Sequence, residues 1–418
     1  MEGTGRLAQY SFVGFTPRLV IAVKDGELTF LNPEMDEKTK VRTSDPLEDV
    51  RLILKERALS GGFRFAGGAV GYISYEAIRY WEKIPKKAVD DLKLPDLELG
   101  IYDDGVVFDH ASGETFYFYR GKSRFDRLLQ TLKRTYSPGL LSFSEPESNV
   151  SKEKFEDMVR KAKHYIGSGD VFQVVLSRRY DFKVDGDLTS FYLNLREINP
   201  SPYMYFLKMG ERKIVGSSPE MLVRVEGRTV ETFPIAGTRP RTGDPKEDRR
   251  LAEELLSDPK ERAEHVMLVD LARNDLGKVS KFGSVRVTEF MKVHRYSHVQ
   301  HIVSRVIGEL KQGNDCYEAF KAVFPAGTVS GAPKIRAMEI IEESEPVRRG
   351  AYAGAVGYFS YNGNADFAIT IRTLVAIGRS CSIQVGAGIV ADSIPEREWF
   401  ETEHKAKALM KALEASES

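Results

Sequence analysis

Alternation of apolar and polar positions predicts β-strands in seven segments of the chain, because successive side chains of a strand point to opposite faces. The segments with this pattern are 10–15, 18–23, 26–32, 67–75, 105–121, 172–182 and 203–209. The pattern at 105–121 contains a central turn and predicts a hairpin. Helical periodicity predicts helices at 46–59 and 152–168, the second of them ending near Gly167 and Gly169.

Strands do not alternate one for one with helices, which favours an α+β fold with antiparallel sheets over a doubly wound parallel sheet. Ser137–Ser151 is rich in Ser, Pro and Glu and is predicted to be a linker. One eight-residue sequence recurs with a single difference, as GAVGYISY at Gly68–Tyr75 and GAVGYFSY at Gly354–Tyr361. Two interpretations remain open: related buried strands, or convergence on a glycine-rich β pattern.

Composition limits the classes of function. Lys plus Arg and Asp plus Glu both number 61 in 418 residues, so no net charge favours nucleic acid or an anionic membrane. No apolar run approaches the roughly 20 residues that span a bilayer, and the N-terminus does not resemble a signal peptide. Two distant cysteines make neither a disulfide framework nor a thiolate metal site. We therefore expect a cytoplasmic protein.

The predicted C-terminal helix carries charges on its apolar face. Ser393 is a candidate N-cap, and Glu396 three residues later completes a capping-box pattern. Glu398, Glu401 and Lys405 have no such explanation, since at about 100° per residue they lie on the apolar side of the helix. The apolar residues that continue this line are Leu409, Ala412 and Leu413.

A second predicted helix has the same arrangement of carboxylates. Asp258 is its N-cap, Glu261 lies at the capping position N3, and Glu264 aligns with Leu268 and Leu271 on the apolar face. Buried carboxylates must be neutralised, paired or placed on a cation. Oxygen ligands without His or Cys suit Mg²⁺, whereas two buried salt bridges, for instance Glu401 with Lys405, are the alternative.

Several other segments suggest a site for a small polycarboxylate. His298 and His301 have a zinc-like spacing, but no third ligand pattern accompanies them. Phe324–Lys334 lacks the spacing of a P-loop, although its glycines and hydroxyls suit an anion. Arg372, within a predicted apolar strand, calls for an anionic partner. The other glycine-rich candidates are Pro234–Arg241 and Val385–Val390.

Many of these segments together resemble the chorismate-utilising enzymes, most closely the large subunits of anthranilate synthases. The motifs that carry the resemblance are FQVVLSR, INPSPYM, GSSPEMLVR, PIAGTRPRTG, AEHVMLVDLARNDLG, YSHVQHIVSRV, FPAGTVSGAPK, AYAGAVGY and GAGIVADSIPEREWFETEHKAKAL. They extend from Phe172 to Leu413, and GGAVGYISYEAIRYWE matches more weakly near the N-terminus. The resemblance implies two packed, mainly antiparallel sheets flanked by helices. It also implies an N-terminal region at 1–140 and a catalytic region at 150–416.

The resemblance implies a role for each matching residue. Mg²⁺ is expected on Glu264 and Glu401, with Glu261 and Glu398 beside them. Chorismate is expected on Gly237, Thr238, Tyr352, Arg372, Gly386, Ala387, Gly388 and Lys405. His301 matches a histidine of the pyruvate-releasing step, Thr328 an active-site position, and Glu220 the donor of a proton to the departing ring hydroxyl.

Two positions distinguish members of this family. Water-using relatives carry a lysine base where this chain has Gln173, and aminodeoxychorismate synthases carry a lysine where it has Ala236. Both positions indicate ammonia as the nucleophile and anthranilate as the product, with an aminodeoxychorismate synthase as the alternative. Ammonia is expected from a glutamine amidotransferase subunit.

The N-terminus departs from the family pattern. A Leu-Leu-Glu-Ser motif that helps to form a tryptophan feedback pocket ends about where Met1 falls. The other half of that pocket is expected at Pro202, Tyr203 and Met204. Inhibition by tryptophan is therefore an open question for this chain, whereas catalysis does not depend on that motif.

Overall fold

The computed structural model describes residues 8–55, 63–296 and 299–417. Its helices are α1 Pro46–Leu54, α2 Phe125–Leu132, α3 Lys152–Gly167, α4 Leu188–Ile198, α5 Pro245–Ser257, α6 Pro259–Val279, α7 Cys316–Val323, α8 Lys334–Ser344 and α9 Pro395–Glu414. Short 3₁₀ helices lie at Tyr75–Tyr80 and Gly327–Val329.

The strands of the N-terminal part are β1 Tyr10–Val13, β2 Leu19–Lys24, β3 Glu27–Asn32, β4 Glu37–Arg42, β5 Gly68–Ile73, β6 Leu97–Tyr102, β7 Asp104–Asp109, β8 Glu114–Tyr119, β9 Leu141–Phe143 and β10 Glu147–Ser148. The later strands are β11 Gln173–Gly186, β12 Tyr203–Met209, β13 Arg212–Ser218, β14 Met221–Glu226, β15 Thr229–Thr232, β16 Ile235–Pro240, β17 Arg286–Arg295, β18 Val299–Glu309, β19 Gly331–Ala332, β20 Ala355–Ser360, β21 Ala365–Ile369, β22 Thr373–Ile377 and β23 Ser380–Ile389.

Within the described residues the strands form two large sheets and a small one. The larger sheet has the order β16-β18-β15-β14-β21-β20-β5-β6-β2-β3-β4, with β17 paired to β18. The second has the order β10-β11-β23-β22-β13-β12, with β9 and β19 paired to β11. Strands β1, β7 and β8 form the small sheet. Antiparallel neighbours throughout these ladders confirm the predicted α+β class.

The recurring sequence forms two neighbouring strands in the middle of the larger sheet. β5 and β20 pair antiparallel, and Gly71 lies opposite Gly357. A Cβ atom at Gly71 would lie 2.1 Å from the carbonyl oxygen of Glu98, so glycine is required for close approach there. The prediction that both copies form buried strands is therefore confirmed.

Helices cover the faces of both sheets and bury the core. Helices α3 and α8 pack with β11 and β23 around Phe155 and Ile340, and α4 and α9 pack around Phe191 and Leu409. The larger sheet is covered by α1, α6 and α7, with Phe320 at the centre of its aromatic contacts. Since α6 contacts β16 and β18 while α9 contacts β23, the two helices approach from different sheets.

Several local predictions can be compared with the elements. The predictions of the hairpin at β7 and β8, the helix α3 and the strand β12 are confirmed. The predicted linker is wrong in part, because β9 and β10 lie within it and pair with β11. The helix predicted at 46–59 ends at Leu54, and its last positions, 56–59, lie outside the described residues. Over the part of the chain that is described, no helix combines the length and apolarity needed to cross a bilayer.

Candidate functional site

The first turn of α6 brings two carboxylates to the junction of the sheets. The Asp258 side chain accepts hydrogen bonds from the amides of Lys260 and Glu261, which confirms it as the N-cap. The Glu261 carboxylate lies 3.3 Å from Nη1 of Arg239 and packs against Gly237. One turn on, Oε1 of Glu264 accepts a hydrogen bond of 3.4 Å from the Gln173 amide.

The first turn of α9 supplies the other pair of carboxylates. The helix begins at Pro395 with Ile394 as N-cap, so the predicted N-cap Ser393 is wrong. The Ser393 hydroxyl instead accepts a hydrogen bond from the amide of Val390. Proline has no amide hydrogen and a fixed φ, which suits the first helical position and places the start here. The predicted capping role of Glu396 is wrong too, since that side chain pairs with Lys152 on the surface.

The two carboxylates of α9 differ in their exposure. Glu398 is 8% exposed, as predicted for a residue on the apolar face. Glu401 and Lys405 form an ion pair of 2.7 Å with side chains 47% and 45% exposed. The prediction that Glu401 and Lys405 lie buried on the apolar face is therefore wrong, because about half of each side chain is exposed.

Carboxylates of the two helices repel one another. Burial raises the pKa of Glu264, and the charges of Glu261 and Glu401 raise it further. Burial likewise raises the pKa of Glu398, and the charge of Glu401 adds to this effect. Helices α6 and α9 therefore direct like charges into one region, although they are far apart in sequence.

Carboxylate oxygens such as those of this cluster are the ligands that a hydrated divalent ion takes in proteins. Among the described residues, no three His, Cys, Asp or Glu side chains come close enough to hold a metal ion alone. Mg²⁺ needs fewer protein ligands, because it commonly retains waters and takes oxygens from its substrate. A cation between Glu264 and Glu401 would offset the repulsion that raises the pKa of Glu264.

A buried histidine lies beside the glycine turn of β16. The strand has an irregular register between Ala236 and Thr238, and Thr238 lies opposite His301 on β18. Nδ1 of His301 donates a hydrogen bond of 2.9 Å to the carbonyl oxygen of Gly237, and the Thr238 hydroxyl lies 3.0 Å from the same nitrogen. Since a carbonyl only accepts, the proton is on Nδ1 and Nε2 has a free lone pair. Burial lowers the pKa of His301 to about 4, so the ring is neutral at pH 7.

A buried carboxyl group lies at the start of β14, and it is protonated at neutral pH. Burial raises the pKa of Glu220 to about 8, although the neighbouring Thr328 and the cations Lys405 and Arg372 lower it. The Thr328 oxygen is itself buried, and within the described part of the chain no partner lies at ordinary hydrogen-bond distance from it. A carboxylic acid of this kind can donate a proton at pH 7.

Arg372 lies near both the acid and the base. It is placed between β21 and β22 with a φ of 50°, so the prediction of a strand position is wrong. The apolar residues around Arg372 gave no sign of a left-handed backbone conformation, because the surrounding tertiary structure imposes that conformation. Burial lowers the pKa of Arg372, and its charge acts on Glu220 and on His301. Its guanidinium donates a hydrogen bond of 3.5 Å to Oδ1 of Asn199.

Glycines of β23 form the wall between α9 and Tyr352. A Cβ atom at Gly386 would lie 2.6 Å from the Tyr352 hydroxyl and 2.8 Å from the carbonyl oxygen of Leu176. One at Gly388 would lie 2.6 Å from the Gln173 amide nitrogen. The Lys405 ammonium donates a hydrogen bond of 2.9 Å to the carbonyl oxygen of Gly386. Because these glycines have no side chains, a ligand can approach the backbone of β23 closely at this wall.

The two residues that distinguish family members are both buried, Gln173 at 3% exposure and Ala236 at 7%. Gln173 begins β11 and reaches Glu264, whereas Ala236 is paired with Ile302 in the ladder next to Gly237. Neither position offers an amine to the site.

The residues predicted for the tryptophan pocket lie at the start of β12. Pro202, Tyr203 and Met204 precede or begin β12, and the Tyr203 hydroxyl donates to Asp366 at 2.8 Å. His298 lies outside the described residues, so its part in the rejected zinc motif is not described.

Sequence analysis did not single out Glu345 and Arg349, a fully buried ion pair of 2.6 Å. The two residues are four positions apart, with Pro346 between them, and this spacing is compatible with an ion pair. The spacing does not show that the pair is buried.

Comparison with known proteins gives a consistent result. A family model described as chorismate binding enzyme matches residues 5–411. Anthranilate synthase component 1 of Methanothermobacter marburgensis is 53% identical over 414 residues, which cover 99% of this chain and 88% of that protein.

Solved structures agree with this likeness. The crystal structure of anthranilate synthase component I from Streptococcus pneumoniae superimposes with a TM-score of 0.87 at 38% identity, covering 98% of this chain and 93% of the other. The menaquinone-specific isochorismate synthase of Escherichia coli has a TM-score of 0.72 at 21% identity, covering 97% and 94%. That second likeness concerns the fold alone.

Proposed function

Since this chain belongs to the family of chorismate binding enzymes, we propose that it is the large subunit of an anthranilate synthase. It converts chorismate and ammonia to anthranilate and pyruvate, a carbon–oxygen lyase reaction at the start of tryptophan biosynthesis. The observation that carries the proposal is a protonated acid, Glu220, and a neutral base, His301, both within the field of Arg372. The catalytic part is assigned to residues 150–416, and the enzyme to the cytoplasm.

Glu220 is the acid of the first step. Ammonia adds to C2 of the ring while the C4 hydroxyl departs, and the two ring double bonds move from C1=C2 and C5=C6 to C1=C6 and C4=C5. The hydroxyl leaves as water once Glu220 has given it a proton, which a carboxyl group with a pKa of about 8 still carries at pH 7. The product of this step is an aminodeoxyisochorismate, and Thr328 orients the acid.

His301 is the base of the second step. The carbonyl oxygen of Gly237 holds Nδ1–H, so Nε2 accepts the proton from ring carbon C2. The C3–O bond then breaks and the ring becomes aromatic. The enolpyruvyl group takes up a proton and leaves as pyruvate, which balances the reaction. Burial keeps the imidazole neutral before this transfer.

Cationic groups and backbone amides hold the two carboxylates of chorismate. Arg372 carries a buried charge without a carboxylate within salt-bridge distance among the described residues, which suits an anionic ligand. Tyr352 and the Gly386–Gly388 segment form the adjoining wall, and Lys405 lies on its far side. Gly237 and Thr238 complete the binding surface next to His301.

Glu264 and Glu401 would hold Mg²⁺, with Glu261 and Glu398 orienting them from the neighbouring turns. When bound, the ion supplies positive charge to the ring carboxylate and supports departure of the C4 hydroxyl. The chain's own contribution is to place the carboxylates on two helices whose repulsion a divalent ion relieves.

Ammonia as nucleophile follows from the two neutral side chains. Gln173 has no basic nitrogen to activate water, and Ala236 has no amine to attack the ring. An amidotransferase subunit supplies ammonia from glutamine. Tryptophan as feedback inhibitor would contact Pro202, Tyr203 and Met204 at the start of β12.

The direct test is product analysis of the purified chain with chorismate, Mg²⁺ and ammonium. We expect fluorescent anthranilate and an equal amount of pyruvate, and chelation of the metal should stop both. Accumulation of isochorismate or of 4-amino-4-deoxychorismate would overturn the assignment. Titration of tryptophan into the same assay decides whether feedback operates in this chain.

A further inference from the structure

One edge of β11 loses its neighbouring strand within the site. Gln173 and Val174 pair with β19 on that edge, and β23 continues along the other. The Val175 amide donates to the carbonyl oxygen of Ser330 at 2.9 Å, and the next strand on that edge, β10, pairs only with Tyr180 and Asp181. Buried backbone groups left without partners are costly, so another element must satisfy them.

The buried pair Glu345–Arg349 takes the place of the missing strand. The Arg349 guanidinium donates to the carbonyl oxygen of Val175 at 2.8 Å. The Glu345 carboxylate accepts hydrogen bonds of 2.8 Å from both the amide and the hydroxyl of Ser177. These two side chains are 3% and 1% exposed, so their contacts are shielded from water.

The same pair reaches two more segments of the site. Another nitrogen of Arg349 donates to the carbonyl oxygen of Val329 at 2.7 Å, next to Thr328. The guanidinium carbon also lies 5.6 Å from the centre of the Tyr352 ring. One planar side chain thus joins two backbone segments that are distant in sequence, at Val175 and Val329, and lies beside the Tyr352 ring.

The segment that this pair holds lies directly behind the glycine wall. Val175 lies opposite Gly388 in the ladder, and Ser177 lies opposite Gly386. A shift of β11 along this edge would therefore move the amides of the Gly386–Gly388 segment. Movement of Val329 would displace Thr328 from Glu220, and loss of the guanidinium would release the Tyr352 ring.

We propose that Glu345 and Arg349 are positioning residues that fix the carboxylate-binding wall of the chorismate site. The inference rests on the proposed function, since it takes this wall to be the chorismate site. Burying two charges is a poor source of stability, because desolvation offsets their attraction. The planar guanidinium of arginine donates several hydrogen bonds in fixed directions. The ammonium of lysine has only one nitrogen and cannot reproduce them.

The test compares Arg349→Lys with Arg79→Lys as a matched control. Arg79 pairs with Glu342 of α8 at 2.6 Å, with side chains 9% and 5% exposed, and the Glu342 carboxylate accepts hydrogen bonds from the amides of Lys87 and Ala88. Chorismate affinity is measured by titration without ammonia, and unfolding midpoints are measured in urea. Arg349→Lys should weaken chorismate binding at least tenfold, whereas Arg79→Lys should change it less than twofold at a comparable loss of stability.

A second pair of variants keeps the test decisive if Arg349→Lys does not fold. Glu345→Gln retains the shape of the side chain, and Glu342→Gln is its control one turn earlier on α8. Equal loss of affinity in both members of a pair would show a merely structural role and overturn the proposal. If the wild type binds chorismate but forms no anthranilate, the proposed reaction fails while the affinity comparison still decides this inference.

Discussion

Replacing Glu220 by glutamine should abolish turnover and also remove a pH-dependent loss of stability. Glutamine has nearly the shape of the protonated acid but has no proton to give. General acid catalysis typically contributes about 10²- to 10⁴-fold, so kcat should fall within that range. Chorismate affinity should change little, because Arg372 and the glycine wall remain in place.

The effect on stability follows from the displaced pKa. The folded protein holds the Glu220 proton up to about pH 8, whereas a model glutamate releases it near 4.5. Between these two pKa values, the free energy of unfolding falls by about 1.4 kcal/mol for each unit that the pH rises. The wild type should therefore lose up to about 5 kcal/mol from this group as the pH rises through that window. Lys405 and Arg372 face the group and limit the loss.

Urea unfolding of wild type and Glu220→Gln at pH 5, 7 and 9 measures this difference. The two proteins should be similar at pH 5, and the variant should be the more stable at pH 9. Glu226→Gln is the matched control, because Glu226 ends the same strand and its side chain is 47% exposed. The reasoning is refuted if Glu220→Gln keeps the pH profile of the wild type, or retains more than a tenth of its turnover.

Further predictions concern the metal, the base and the wall. Glu264→Gln and Glu401→Gln should each lower turnover at least a hundredfold and raise the Mg²⁺ concentration for half-activity, measured by metal titration. His301→Ala should still form the amino intermediate while pyruvate release slows about 10²-fold or more, measured by rapid quench and chromatography. Gly386→Ala should raise the KM for chorismate and cost about 1–3 kcal/mol in urea unfolding, because its Cβ would meet the backbone of Leu176 at 2.8 Å.

Controls separate these effects from general damage. Asp270→Asn removes an exposed carboxylate from the same helix as Glu264 and should leave the metal titration unchanged. Normal turnover in either glutamate variant would exclude the metal role. Failure of His301→Ala to accumulate an intermediate would assign the second step to another base. Unchanged KM in a folded Gly386→Ala would place the substrate elsewhere.

Local sequence patterns predicted the helices that carry the site residues better than they predicted the arrangement of those residues in the site. The N-cap of α6 and its paired glutamates follow from short-range rules of spacing, and the structure contains them. The same rules misplaced the start of α9, because a serine and a glutamate at capping distance did not outweigh Pro395. The exposure of Glu401 was also missed. The position of a residue around a helix predicts which way its side chain points, but not how close the neighbouring helix lies.

Long-range pairing accounts for the rest. The hydrogen bond from His301 to Gly237 depends on the register of β16 with β18, and no local signal in either segment reveals it. Only the family resemblance pointed to that histidine. The Glu345–Arg349 pair was likewise invisible, because its partners on β11 lie far away in sequence.

The twin strands β5 and β20 have a consequence for the synthesis of this protein. The centre of the larger sheet joins Gly71 to Gly357, so the ribosome has released most of the chain before that pairing is possible. Until then β5 and β6 expose an unpaired edge, and sheets rich in such distant contacts fold slowly. During that interval the nascent chain is most vulnerable to association with its neighbours through this edge. We therefore expect the yield of soluble protein to rise when the chain is expressed at lower temperature or together with chaperones.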